Sequence, residues 1–467
     1  MNRTLPTFVL VVGACCGTWC NAAPETVPAT NPSTQELLDE VRALRSEVKD
    51  LHQKLDARPA TTQPDAAISA EVVNRTIRDI QRDVTLSDEI PITAGYFPNR
   101  GFLIRTDDES FLLHPWAYVQ IRNATNYREN ATATSADTEN GFELPRLKLI
   151  LDGNLYSKDL TYQFIWASSD TTGNLQLQDA WGRYHIPNTP FAIRAGQIRD
   201  PVDHEQILFA TTSLTPDRSI VNNVLLNGDD IVKGASIGYG YDDPNSAFRT
   251  EVAITSGERN FGTTYQEFPT NTASWGAAGR AEYKALGDWN KYNQFTALGD
   301  TQDLLVFGAG FDYTEAGTTA ALTHVVDVQY DSSQGLGLYA AYLGRYTRHN
   351  GGPPTTNGGF TGAGPDFNTY DSTFRLMAAY LIDGHWEPFV RYEYIHFDGR
   401  ELSAGTNPTV HDFTLGFNYY FHAHRAKITA GATYLPNGSP ISNTISDLQQ
   451  SHGGNEVILQ LQFQLIL

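Results

Sequence analysis

Glu456-Val-Ile-Leu-Gln-Leu-Gln-Phe-Gln-Leu-Ile-Leu467, the last stretch of the chain, alternates between two kinds of side chain. One parity is wholly apolar: Val457, Leu459, Leu461, Phe463, Leu465 and Leu467. The other parity is mostly amide, with glutamine at 460, 462 and 464. Because successive side chains of a strand point to opposite faces, the pattern predicts a strand with one apolar and one polar face. A soluble protein would place the apolar face on a packed core, whereas a membrane barrel would place it on lipid.

The composition narrows the class of protein. An apolar fraction of 40% is too low for a bundle of spanning helices, and no apolar run after the first twenty residues is long enough for one. Aromatic residues at 11%, with only two Met, suit many short strands and turns. The net charge of −20 argues against nucleic acid and anionic membrane surfaces as partners.

The N-terminus has the features of an export signal. Arg3 is a minimal basic region, Leu5 to Trp19 form the apolar stretch, and Cys20-Asn21-Ala22 is a small-residue cleavage site, so residues 1–22 are predicted to be a signal peptide. A lipoprotein signal ending at Cys15 is the alternative. All three cysteines lie within this stretch, so no disulfide, thiolate metal site or cofactor is expected in the rest of the chain.

A heptad seam follows the signal. Its apolar positions are Leu37, Val41, Leu44, Val48, Leu51 and Leu55, with charged residues between them. This spacing predicts a coiled coil over 34–57, which in isolation would favour a dimer; a single amphipathic helix packed on its own protein is the alternative. Residues 58–110 are predicted to be a periplasmic linker, Pro59 to Pro64, followed by a short helix, Glu71 to Val84.

From about Phe111 the period changes to two, and the chain is a succession of strands of roughly ten residues, the length that a tilted membrane strand needs. Residues 111–467 are therefore predicted to form the barrel. Charged side chains sit opposite the apolar parity and are expected to line the lumen: Arg146, Lys148, Arg194, Arg280, Lys284, Arg391, Glu393 and Lys427. The alternative is that they pair with neighbours such as Glu282 and Glu387 and only brace the interior.

The lengths of the connections provide an independent test. Long and short connections alternate along nearly the whole chain, as in outer-membrane barrels with long external loops and short periplasmic turns. The strands number about sixteen, an even number that brings both ends of the barrel to one side. One stretch, Leu286 to Gln302, is long where a short turn is expected.

Several segments resemble the phosphate-selective porin O and P family. The first is Phe191-Ala-Ile-Arg-Ala-Gly-Gln-Ile-Arg-Asp-Pro201 with Glu205 and Asp217-Arg218-Ser219. Three later segments agree in order and spacing: Glu387 to Glu393, Gly416 to Phe421 leading to Lys427, and Leu459 to Phe463. The resemblance implies a homotrimer of sixteen-stranded antiparallel transmembrane β-barrels in the outer membrane, with loops folded into the lumen and basic side chains guiding anions. Where the family commonly has Arg-Asp, this chain has Asp229-Asp230, so the permeant is left open.

The connection from Asp200 to Val232 would be the third external loop, the one that narrows the pore in general porins. Its charged residues are then expected at the constriction: Asp203, Glu205, Asp217, Arg218, Asp229 and Asp230. There, a low-dielectric wall focuses their field on a passing ion. The alternative is structural, with Arg218 pairing with a carboxylate to hold the loop on the wall.

No catalytic residue and no metal site are predicted. Gly234-Ala-Ser-Ile-Gly238 matches the pattern of a nucleophile elbow, but the sequence continues as a strand where that motif needs a turn into a helix. His422 and His424 lack a framework of other ligands and are expected to be solvated.

The sequence thus predicts an all-β outer-membrane porin with an N-terminal coiled coil in the periplasm. It would pass small hydrophilic solutes or inorganic ions by diffusion, with phosphate or other anions as candidates. Its partners would be outer-membrane lipid and two further copies of itself. The alternative function is a secreted or surface β-rich ligand-binding protein that its coiled coil oligomerises.

Overall fold

The computed structural model describes residues 92–97, 100–129, 137–169, 172–226, 231–257, 275–316, 319–349, 367–400, 402, 407–439, 448 and 454–467. The signal peptide, the coiled coil and most of the predicted linker lie outside these residues, and so do Asp229 and Asp230. These expectations therefore stay predictions.

The described chain is built almost wholly of strands. The first nine are β1 (Ile92–Phe97), β2 (Gly101–Thr106), β3 (Leu112–Arg128), β4 (Thr138–Asn154), β5 (Leu160–Ser168), β6 (Leu175–His185), β7 (Phe191–Arg199), β8 (Ile231–Tyr239) and β9 (Phe248–Thr255). The rest are β10 (Trp275–Leu286), β11 (Leu304–Ala316), β12 (Thr319–Asp331), β13 (Leu336–His349), β14 (Phe367–Tyr380), β15 (Trp386–His396), β16 (Thr409–His422), β17 (Ala426–Leu435) and β18 (Glu456–Ile466). Two short helices, α1 (His204–Ile207) and α2 (Ile220–Leu225), and the 3₁₀ turn Ala210–Thr212 lie between β7 and β8.

Strands β3 to β18 close into a sixteen-stranded antiparallel barrel, which confirms the predicted barrel. Each pairs with the next along the chain, and β18 pairs back with β3 from Glu456 opposite Arg128 to Ile466 opposite Tyr118. The terminal strand that decided the fold is therefore the strand that closes it. Since closure leaves no free edge, every strand of the barrel can satisfy its backbone groups on both sides.

The two faces of β18 divide as the sequence predicts. Leu459 and Leu461 are 49% and 56% exposed on the outside, whereas Gln464 on the inside is fully buried. Apolar residues outside and polar residues inside are the arrangement of a barrel surrounded by lipid. No helix within the described residues is long and apolar enough to cross a membrane.

Aromatic side chains form a belt on the outer surface near one end of the barrel, which the sequence analysis did not predict. Ring pairs lie next to the turns there: Phe191 with Tyr239 at 5.4 Å, Phe248 with Tyr283 at 4.8 Å and Trp386 with Tyr419 at 4.7 Å. At the other end, Trp275 and Tyr313 form a similar pair at 5.1 Å. Such rings lie at the boundary between lipid and water in membrane barrels.

The connections sort by length between the two ends. At the short-turn end they are 155–159, 186–190, 240–247, 332–335, 381–385 and 423–425. At the long-loop end they are 129–137, 200–230, 256–274, 350–366, 397–408 and 436–455, with two short exceptions at 169–174 and 317–318. Residues 287–303, between β10 and β11, are the long connection at the short-turn end that the sequence analysis noted.

A hairpin precedes the barrel, within the stretch expected to be linker. β1 pairs with β2 from Ile92 opposite Thr106 to Phe97 opposite Gly101. β2 then adds two residue pairs to the start of β3, and Glu109 after it forms a 2.8 Å ion pair with Lys158 in the turn after β4. The hairpin is thus attached to the short-turn end of the barrel.

The outward position of Leu461 yields a test of the lipid-facing surface. Arginine at Leu461, the central position of β18, is expected to cost about 2–4 kcal/mol of folding free energy, because its charge must enter hydrocarbon. Arginine at Gln460, whose side chain bonds Asp217 in the lumen, is the matched control and should be tolerated. Urea unfolding in lipid vesicles measures both. Equal stability of the two variants would contradict a lipid-facing surface.

Candidate functional site

The connection after β7 folds into the barrel lumen and does not project outward. Its described part, residues 200–226, is called the inner loop here. Two caps shape it: the Asp203 carboxylate accepts from Gln206 N at the start of α1, and Ser219 Oγ accepts from Asn222 N at the start of α2. Because Asp and Ser satisfy free N–H groups at helix starts, the local sequence favours both short helices. The caps and the helices they begin are buried inside the barrel.

Arg375 of β14 is the first anchor between the inner loop and the wall. Its guanidinium donates to Asp203 Oδ1 at 2.8 Å, to Glu205 Oε2 at 2.5 Å and to Ser219 Oγ at 2.7 Å. Glu205 also accepts from the Ser219 backbone N–H at 3.0 Å, so both helix starts meet at one cation. All of these side chains are almost fully buried. A buried charge is tolerated only when paired and hydrogen-bonded, and this cluster meets that condition.

Asp217 is the second anchor and reaches three other strands. It pairs with Arg122 of β3, and its Oδ1 accepts from Arg146 of β4 at 3.1 Å. Gln460 of β18 donates to its Oδ2 at 3.0 Å. The partners of Asp217 therefore come from both strands of the β18–β3 pair that closes the barrel.

Wall side chains also hold the backbone of the inner loop. Arg391 donates to Asp217 O at 3.1 Å, and Lys427 donates to Ser213 O at 2.7 Å. The Glu393 carboxylate accepts from Ile220 N at 3.2 Å and Val221 N at 3.3 Å, which satisfies free N–H groups at the start of α2. The loop is thus held along its length by strands on much of the circumference.

The predicted charges fall into groups. Asp203, Glu205, Asp217 and Arg218 all lie in the inner loop; Asp217 pairs with the wall, and Arg218 donates to Leu208 O at 2.6 Å within the loop. The eight predicted wall charges share the inner parity: Arg146, Lys148, Arg194, Arg280, Lys284, Arg391, Glu393 and Lys427. Several are paired, including Arg280 with Asp327, Arg391 with Glu393 and Arg194 with Glu251.

Sequence reasoning did not assign Arg122, Arg199 or Arg375 to the site. Arg122 and Arg375 carry the same signal as the assigned charges, a basic residue on the inner parity of its strand. Arg199 instead shares the parity of outward Phe191 and Ile193 and is buried all the same, so the pattern alone would have placed it outside. The alternation pattern does not identify the ion-pair partner of such a residue, because Asp217 lies 95 residues from Arg122 and Glu205 lies 170 residues from Arg375. Ser236 of the elbow-like motif lies inside β8 and donates to Glu251 at 2.5 Å.

A second segment enters the lumen from the short-turn end. This segment, Gly287 to Asp303, is called the strap here, and its Trp289, Tyr292 and Phe295 side chains are 1%, 2% and 5% exposed. The Tyr292 ring stacks on His204 of the inner loop, with ring centres 3.8 Å apart and planes at 10°. Burial, with the nearby Arg280 charge, holds the pKa of His204 well below its ordinary value, so the stacked imidazole is neutral. The long turn is therefore explained by its position in the lumen.

The inner loop and the strap leave one side of the lumen open. Inward side chains of β11 to β16 are buried, among them Gln329, Arg375 and Asn418. Several inward side chains of β5 to β9 are partly exposed, among them Gln163, Arg183, Arg194 and Glu251, although others such as Ile165 and Asp179 are buried. This part of the wall is called the open arc here. It borders a cavity of about 190 Å³ lined by Gln163, Trp181, Arg183, Arg194, Glu251 and, from the inner loop, Phe209.

Charges of both signs line the open arc. Arg194 pairs with Glu251 at 2.6 Å, and Arg183 makes two bonds to Asp242, at 2.9 and 2.5 Å. Burial alone would raise the pKa of Asp242, but Arg183 lowers it below the ordinary value. The Arg199 guanidinium lies over the Phe209 ring at 4.9 Å. A small solute moving along this wall would meet fixed charges and aromatic faces in a space that water also reaches.

The chain is similar to one protein family and to several solved porin structures. Residues 118–311 match the model of the family described as phosphate-selective porin O and P. Among solved structures, OprB of Pseudomonas putida at high pH is similar with a TM-score of 0.50 and 10% identity, over 75% of this chain and 94% of that chain. An anion-selective porin from Comamonas acidovorans has a TM-score of 0.47 and 12% identity, over 76% of this chain and 99% of that chain. No curated protein matches the chain.

The Arg375 anchor can be tested by removing its charge. Arg375→Met leaves Asp203 and Glu205 buried without their cation, and loss of one partner of a buried pair costs about 3–5 kcal/mol. The inner loop should then detach and become sensitive to protease, while the barrel keeps its heat-modifiable migration. Arg400→Met, which removes an exposed pair with Asp398, is the control and should change little. An inner loop that stays resistant in Arg375→Met would refute the anchor.

Proposed function

We propose that the chain is an outer-membrane porin and that the inner loop is its constriction, on the basis of the match of residues 118–311 to the model of the phosphate-selective porin O and P family and of the loop's position in the barrel. Small hydrophilic solutes and ions diffuse passively past that loop, along the open arc. The long-loop end faces the outside of the cell and the short-turn end faces the periplasm, in keeping with other outer-membrane barrels.

One observation carries this proposal: a loop held inside the barrel by buried ion pairs, opposite a wall that water reaches. Asp203, Glu205 and Asp217 act as anchors that keep the narrow point constant in width. A preorganised constriction needs such anchors, because a detached loop would vary the width and the charge that solutes meet. Exposed Leu459 and Leu461 on the outside argue against the alternative, a secreted ligand-binding protein, because a soluble protein would cover so large an apolar band.

Anions, with phosphate among them, are the proposed permeants. Arg183, Arg194 and Arg199 present guanidinium groups along the open arc, and guanidinium is well suited to phosphate and carboxylate oxygens. Each of the three also has a carboxylate within 3.5 Å, from Asp242, Glu251 and Asp179 respectively. The fixed charge of the passage is therefore nearly balanced, and the preference for anions should be modest.

The N-terminal part of the chain completes the proposal. Residues 1–22 direct export, the coiled coil over 34–57 joins three copies in the periplasm, and 58–110 links it to the barrel over 111–467. The heptad seam supports the coiled coil but by itself favours a dimer, so the number of three copies is taken from the resemblance to the porin family. Cross-linking of the intact and the truncated protein in detergent tests the assignment. A trimer that persists without residues 34–57 would assign assembly to the barrel alone.

Conductance across a planar bilayer tests the function directly. Purified protein should raise the conductance in steps, and the reversal potential in a KCl gradient should indicate a modest excess of chloride over potassium current. Phosphate should reduce the chloride current if it enters the same passage. Protein that is soluble without detergent and produces no conductance would overturn the proposal, whereas a cation current would overturn only the anion preference.

Unpairing one charge of the open arc should change the ion selectivity. Glu251→Gln leaves Arg194 without its carboxylate and should shift the reversal potential toward anions, because a half-buried guanidinium then faces the passage uncompensated. Arg194→Gln should shift it toward cations. Glu315→Gln removes the same charge from the outer parity of β11 and is the control. Equal reversal potentials in all three variants would mean that ions do not pass this wall.

A further inference from the structure

The strap is fastened to the wall by polar contacts of its own. Thr296 Oγ1 donates to Glu387 of β15, and Gln329 Nε2 of β12 donates to Gln294 O at 2.6 Å. The Gln294 amide oxygen also lies 3.0 Å from His424 Nε2, in the turn after β16. These partners belong to β12, β15 and the turn after β16, so the strap extends across the buried side of the lumen.

The strap and the inner loop meet face to face inside the barrel. Besides the stack of Tyr292 on His204, Phe295 approaches the His204 ring edge-on at 5.3 Å and packs among buried Leu208 and Leu214. Arg280 joins the two segments as well, since it donates to Tyr292 Oη at 2.9 Å and to Val202 O at 3.1 Å. Two segments that enter from opposite ends thus share one packed and hydrogen-bonded junction.

The wall behind this junction has no side chains at two positions. A Cβ on Gly310 of β11 would meet Val202 O at 2.0 Å, and a Cβ on Gly308 would meet Arg280 Nη2 at 2.1 Å. Only glycine at these positions leaves room for the inner loop and for the Arg280 side chain that holds both segments. The two glycines of β11 thus leave space for both the inner loop and the Arg280 side chain, which holds the strap inside the lumen.

The first residues of the strap lie next to the open arc. Trp289 donates to Ser246 O at 2.7 Å, and its ring carries the Arg249 guanidinium at 4.1 Å and Lys284 Nζ at 5.3 Å. Arg249 lies 5.5 Å from the Tyr241 ring as well, and Tyr241 lines the cavity beside the arc. Trp289 is itself buried, so the strap supports the edge of the passage from behind, through Arg249 and Tyr241, on the short-turn side.

We propose that the strap is a second constriction element, entering from the periplasmic end, and that the strap, which buried Trp289 and Tyr292 hold in place, determines the largest solute that the pore admits. The inner loop alone would leave the β11 to β16 side of the lumen open between the loop and the short-turn end. The strap fills that side and restricts solutes to the open arc. This inference rests on the proposed function, since it concerns the size limit of the same pore.

Replacement of residues 288–302 by a short Gly-Ser turn tests the proposal. Single-channel conductance should rise by about twofold, because conductance follows the open cross-section, and larger poly(ethylene glycol) molecules should enter the pore. Tyr292→Ala should move both quantities in the same direction, whereas Tyr292→Phe, which keeps the stack on His204, should change them less. Asn290→Ala, at an exposed strap position, is the control and should behave as the native chain does.

A chemical test covers the case in which the shortened chain does not fold. Trp289→Cys introduces a thiol behind Arg249 and Tyr241, where loss of the indole opens space toward the cavity. A bulky thiol reagent added from the aqueous phase should fill that space and reduce the current well below that of the unreacted variant. Native protein treated with the same reagent is the control. Unchanged conductance and size limit in a folded strap variant, or an unaffected current in labelled Trp289→Cys, would overturn the inference. A native protein without conductance would overturn the proposed function first.

Discussion

Closure of the sheet is the constraint on which the rest of this structure depends. Lipid offers no hydrogen-bond partner, so a sheet that spans it must pair both edges of every strand. The pairing of β18 with β3 meets that requirement and at the same time separates a lipid-facing surface from an enclosed lumen. Everything inside the barrel is then subject to the opposite requirement, because buried charges must find partners there.

The lumen meets this requirement with ion pairs between segments that are distant in sequence. Arg375 gathers two carboxylates and a hydroxyl of the inner loop, and Asp217 gathers two arginines and an amide of the wall. Broken pairs would leave charges in a poorly solvated interior, so the intact network disfavours every other position of the loop. The same charges that the sequence suggests for ion selection are thus used largely to hold the inner loop in place.

Two segments that fold into the lumen, the inner loop and the strap, divide it together. The inner loop and the strap enter from opposite ends and meet at His204 and Tyr292, and they bury the β11 to β16 side together. The β5 to β9 side keeps a cavity lined by paired arginines and aromatic side chains. The lumen is thereby divided into a packed side along β11 to β16 and a more open side along β5 to β9.

Period-two alternation from Leu112 to Ile466, with amides opposite Leu and Phe in the last strand, determined the barrel, its number of strands and which side chains face inward. These properties are local, because side-chain direction in a strand follows from backbone geometry alone. The partners of Asp217 and Arg375, the path of the strap and the position of the open arc were decided only by the tertiary structure. They depend on contacts across the lumen between residues that are distant in sequence, such as Asp217 and Gln460, which are 243 positions apart, and no spacing rule in the sequence encodes them.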